Sequence, residues 1–111
     1  MKNGIYEATF TTNVGTLGKA AVMLHKNAFA GADGLQFYRG EIDRQGDDVG
    51  VIMEVTRHNF VTPSPLGNEP FFTLTWTGKT QGETSFKLSC DPVGSDVRIY
   101  VSGRLLQETD A

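Results

Sequence analysis

One cysteine, Cys90, stands in a chain of 111 residues. A lone thiol cannot close a disulfide within the chain, so packing and hydrogen bonds must hold the fold. No apolar run approaches membrane-spanning length. The opening residues Met1-Lys2-Asn3-Gly4-Ile5-Tyr6-Glu7 have no apolar stretch of the kind a signal peptide needs. These absences point to the cytoplasm, where a single reduced thiol is tolerated. Clustered positive charge is also missing. Ten Lys and Arg residues are scattered among thirteen Asp and Glu, the net charge is −3 and the pI about 5.2. Duplex nucleic acid is bound largely by neutralising phosphates with clustered basic side chains, so direct binding to DNA or RNA is not expected. No segment longer than about two turns carries apolar residues at helical spacing, and there are no internal repeats or low-complexity tracts.

What the chain does have is a globular balance, 39% hydrophobic and 21% charged. The length suits a single domain that buries roughly two-thirds of the surface its unfolded form exposes. Residues 1–106 are expected to form that domain, with 107–111 a frayed polar tail. Thirteen glycines punctuate short runs rich in Val, Ile, Phe, Tyr and Thr, the pattern of strands and hairpins. Tyr6, Ala8 and Phe10 alternate with Ile5, Glu7 and Thr9. After a loop over 13–18, Ala20, Val22 and Leu24 share a face. A short segment over 28–30 ends in Gly31-Ala32-Asp33-Gly34. A strand over 35–44 follows, then a charged turn over 43–48 centred on Gly46. Val51, Met53 and Val55 share a face, as do Phe72, Leu74 and Trp76, then Phe86, Leu88 and Cys90, and finally Val97, Ile99, Val101, Gly103 and Leu105. A turn is expected over 78–82. The one long loop, 60–70, holds Pro63, Pro65 and Gly67. A short helical turn fits only within 13–18 or 60–68. Seven or eight half-apolar strands joined as successive hairpins gain most by closing on themselves, which removes exposed edges. The expected fold is therefore all-β, a single antiparallel up-and-down barrel.

The residues that imitate chemistry fail on spacing. Gly78-Lys79-Thr80 resembles the end of a phosphate loop, but position 73 is Thr rather than Gly and a strand follows instead of a helix. Glu41, Asp43, Gln45 and Gly46 imitate a calcium loop, but its closing acid would fall at Ile52. His25 and His58 have no second ligand at metal spacing. Cys90 alternates with Phe86 and Leu88 and reads as a small core residue. No nucleophile–base pair, metal cluster or cofactor motif emerges, so a non-enzymatic binding protein without a cofactor is expected. Two features carry binding potential. Arg57 shares the inward face of Val51, Met53 and Val55. With Tyr38 and Trp76 it forms the candidate set for a small apolar ligand held inside the barrel, Arg57 receiving a carboxylate or lying at the mouth. The acids Glu41, Asp43, Asp47 and Asp48 form either a solvated turn or a docking patch for a basic protein partner. Ile5, Met23 and Ile52 fall on outward faces, where apolar residues could serve a homodimer.

Several motifs in order resemble the GrlR-type negative regulators of type III secretion, small bacterial proteins with a lipocalin-like barrel. They are Asn3-Gly4-Ile5-Tyr6 with Phe10 and Asn13, then Gly31-Ala32-Asp33-Gly34 followed by Tyr38-Arg39-Gly40. Val55-Thr56-Arg57-His58-Asn59 with Pro63-Ser64 and Phe72-Thr73-Leu74 complete the series, so the likeness spans most of residues 3–90. The resemblance implies an anti-activator that sequesters a transcription activator, one with a helix-turn-helix, through an acidic surface loop, and that works as a homodimer. Here that loop is Asp43-Arg44-Gln45-Gly46-Asp47-Asp48. It is longer than the family pattern and is interrupted by Arg44 and Gly46. The family's longer C-terminal region has no clear counterpart after Leu106. The alternative expectation is an intracellular carrier or sensor of a small apolar ligand.

Overall fold

The computed structural model describes residues 1–13, 15–60, 69–91 and 97–109. Its elements are eight strands: β1 (Gly4–Thr12), β2 (Gly15–His25), β3 (Ala28–Ala32), β4 (Gln36–Gln45), β5 (Asp48–Arg57), β6 (Phe71–Gln81), β7 (Ser85–Cys90) and β8 (Ile99–Glu108). Each pairs antiparallel with the next, and β8 returns to β1, with Ala8 opposite both Ala20 and Gly103. The sheet is thus a closed up-and-down barrel, as the alternation requires. A barrel of about eight strands is just wide enough for side chains to fill, or for one small ligand.

The period-two faces turn inward as expected. Tyr6, Ala8, Phe10, Tyr38, Val51, Met53, Val55, Leu74, Trp76, Ile99 and Val101 are all buried. The barrel has two different ends. The turn end carries the tight β2–β3, β4–β5 and β6–β7 turns. Lys26 and Asn27 both take positive φ (51° and 68°) in the first, a geometry whose twist matches that of the flanking strands. Gly46 and Gly82 supply it in the other two. The loop end carries the remaining four connections.

Several expected boundaries differ, mostly because glycine signals a turn even where it lies inside a strand; the charged turn expected over 43–48 is reduced to Gly46 and Asp47, since β4 runs through Gln45 and β5 begins at Asp48. Gly15 and Gly18 lie within β2, which leaves no helical turn there; residues 61–68, the core of the other helical candidate, lie outside the described residues. Gly31 lies within β3. Gly78, Lys79 and Thr80 lie within β6, so the phosphate-loop imitation is plain strand and Lys79 pairs with Lys87 across it. Strand β8 continues to Glu108, and Thr109 N–H donates to Asn3 O at 3.0 Å, so the polar tail is tied to the barrel through residue 109. Val97 precedes β8 and is exposed rather than inward.

Candidate functional site

Three places could do work: the interior, the loop end and the outer wall. The interior holds a cavity of about 70 Å³. Its position follows from the register. Leu24 is next to last in β2, Val49 is second in β5 and Phe86 is second in β7, so these walls lie at the turn end. Phe10, Tyr38 and Trp76 close the other side, with ring centroids 5.8 Å apart for Phe10–Tyr38 and 6.0 Å for Phe10–Trp76. Every atom the walls expose to the space is apolar. The Tyr6 hydroxyl is spent on Lys2 O at 2.6 Å, and that of Tyr38 on Asp33. A water needs polar partners to occupy a cavity, so this space favours hydrocarbon.

Tyr38 and Trp76 both line the cavity, while Arg57 does not wall it. Arg57 points inward and is 8% exposed. Its Nη2 donates to Asn59 O at 2.9 Å and its guanidinium lies 5.1 Å from the Phe60 ring centroid. It belongs to a polar network at the loop end. There Asp33 Oδ1 accepts from the backbone N–H of Leu35 and Gln36 at 2.8 and 2.9 Å, an Asx turn that fixes the β3–β4 connection. Asp33 Oδ2 accepts from the Tyr38 hydroxyl, to which the buried Gln36 donates at 3.2 Å. His58 Nε2 lies 3.0 Å from Asp33 O, and Asn59 Nδ2 donates to Gly34 O.

This network has a pH consequence. Burial, then the hydrogen bond to Asp33, raises the Tyr38 pKa well above its ordinary 10.0. The folded state therefore keeps a proton that the unfolded chain releases. The stabilisation is complete below pH 10 and is lost as pH rises from there toward the folded value. Tyr38→Phe is expected to flatten that alkaline loss, measured as Tm against pH from neutrality to pH 11 (roughly one unit beyond the unfolded value). An unchanged slope would contradict the assignment.

On the outer wall, Asp43 stands opposite Gly50 and Glu41 opposite Ile52. Thr77 and Thr75 flank them on β6. A Cβ built on Gly50 meets nothing within 4 Å, and the position lies in a shallow open groove over β4–β6. Ile52, 61% exposed, lies on its floor. The four acids do not form one loop patch. Glu41 and Asp43 line the groove and have no ion-pair partner among the described residues. Asp47 sits at the turn. Asp48 is paired with Lys79 Nζ at 2.6 Å, a contact that raises the Lys79 pKa, with Asp47 adding to the field. Nearby, Arg39 and Glu54 pair at 2.8 Å.

Sequence reading misses Gly50 as part of this surface and places Ile52 outward without joining it to the acids. The signal was present, since alternation from Val51 sends both outward and the Gly46 turn folds them against Asp43 and Glu41. No His, Cys, Asp and Glu cluster suited to a metal occurs among the described residues. Burial, then the nearby Asp91 charge, raises the pKa of the Cys90 thiol, which disfavours the nucleophilic thiolate. No helix of the described residues is long and apolar enough to cross a membrane. No protein-family model matches the chain, and no curated protein matches it.

Proposed function

We propose that this is a non-enzymatic regulatory binding protein whose outer wall over β4–β6 holds a basic segment of a protein partner. The partner the resemblance implies is a transcription activator with a helix-turn-helix, sequestered in the manner of the GrlR-type regulators. The observation that carries the reading is the pair of carboxylates Glu41 and Asp43, which have no ion-pair partner among the described residues, beside the open ground at Gly50. A Lys or Arg from the partner would meet both acids, while an apolar neighbour rests on Ile52. Complementary charge of this kind sets the on-rate and the choice of partner. The homodimer implied by the same resemblance has the outward Met23, Phe37 and Phe71 available as apolar surface.

The test uses a helix-turn-helix activator encoded beside this protein, co-expressed with it. Glu41→Lys combined with Asp43→Lys is expected to weaken capture about 100-fold, with the loss mainly in association and steepest at low salt. Gly50→Leu, which fills the groove without changing charge, is expected to weaken it as well. Far-UV circular dichroism should be unchanged in both. Wild-type capture by both variants would overturn the proposal.

A second reading rests on the interior cavity. Its wholly apolar walls suit a small uncharged ligand, and they disfavour one that must bring a carboxylate inside, since burying an unpaired charge is costly.

A further inference from the structure

The turn end of the barrel is crossed by residues 1–3. The Met1 side chain is 3% exposed and forms part of the cavity wall. Lys2 N–H donates to Glu83 O at 3.0 Å, and the Tyr6 hydroxyl donates to Lys2 O. The Met1 amino group lies 3.1 Å from Glu83, whose other oxygen is 3.6 Å from Arg44. Asn3 Oδ1 accepts from Lys26 N at 3.0 Å, and Asn3 O accepts from Thr109. Three residues thus stitch together the β2–β3 turn, the β6–β7 turn and the end of β8.

We infer that residues 1–3 are a strap whose Met1 side chain plugs the cavity, and that lifting this strap is the step that opens the interior to apolar molecules. Hydrogen-bonded strands seal the sides around the cavity, and the Phe10–Tyr38–Trp76 layer lies between it and the loop-end network. The plug suits its task, because an unbranched thioether fills irregular apolar space and leaves it without breaking a hydrogen bond. The fastenings described lie outside the barrel ladder, so the strap can open locally while the eight strands stay paired, at lower cost than global unfolding. The inference concerns access to the cavity and is independent of the activator reading.

The test reads the single tryptophan, Trp76, which walls the cavity. Lys2→Pro removes the N–H given to Glu83, and Asn3→Ala removes the acceptor for Lys26. Acrylamide quenching of Trp76 is expected to rise severalfold in the double variant and less in Asn3→Ala alone. The rise in Tm produced by toluene should appear, or grow, in step. Asn3→Asp keeps the oxygen and should restore wild-type quenching. Ile99→Val trims a buried side chain at the loop-end start of β8 that does not line the cavity, so it should lower Tm without raising quenching. Wild-type quenching and an unchanged toluene response in strap variants with native circular dichroism would overturn the inference. So would an equal rise in Ile99→Val.

Discussion

Trp76→Ala is expected to cost about 3–5 kcal/mol, a large share of the roughly 5–15 kcal/mol that holds a domain together. Trp76 is the largest fully buried side chain. It forms one side of the aromatic layer and faces Val51 across the sheet. Truncation would merge its volume with the adjoining cavity, and a closed barrel can collapse little to refill it because every strand is held on both sides. Trp76→Phe separates volume from polarity. The Trp76 Nε1 is buried with no hydrogen-bond partner among the described residues, and an unsatisfied buried donor carries a penalty of about 1–3 kcal/mol. Phenylalanine removes that donor and keeps most of the ring, so its net loss should be well under half that of alanine. Urea titration followed by circular dichroism measures both. Equal losses in the two variants would show that the aromatic layer is not limited by volume.

The barrel was legible because the apolar period stays in step within six of the eight strands. Tyr6, Ala8 and Phe10, or Val51, Met53 and Val55, each declare a face without help from the rest of the chain. The strand ends were less legible because a glycine carries two meanings. Gly46 and Gly82 bend the chain through positive φ, whereas Gly31 and Gly78 admit a neighbouring backbone inside a strand. Only the register separates the two cases. The functional surface divides in the same way. That Glu41 and Asp43 share a face follows from local alternation. That Asp48 is paired with Lys79, while Glu41 and Asp43 have no ion-pair partner among the described residues, depends on which strand lies beside β5. Arg57 was correctly sent inward, but its distance from the cavity depends on the Phe10–Tyr38–Trp76 layer, drawn from three separate strands. The seating of Met1 beside Phe86 and Glu83 requires the barrel to close before it can be seen at all.

The double meaning of glycine yields a second large effect. A Cβ placed on Gly78 would lie 2.0 Å from Lys87 O and 2.7 Å from Leu88 Cα. Both are backbone atoms of the paired strand β7, so no rotamer change can relieve the clash. Either β6 and β7 separate locally, losing ladder bonds on the side where β7 is shortest, or the strand bends into the core. Gly78→Val is therefore expected to cost about 3 kcal/mol, the upper end for overpacking, or more. Gly50→Val provides the contrast. That position lies in the neighbouring strand β5, faces outward and has open space where a Cβ would go. There the branched side chain suits a pleated surface, so stability should hold or rise by a few tenths of a kcal/mol. Partner capture should fall, because the groove beside Asp43 is filled. Urea midpoints of the two variants are the measurement. If both glycines tolerated valine equally, the close approach of β6 and β7 on which the barrel's closure rests would be wrong.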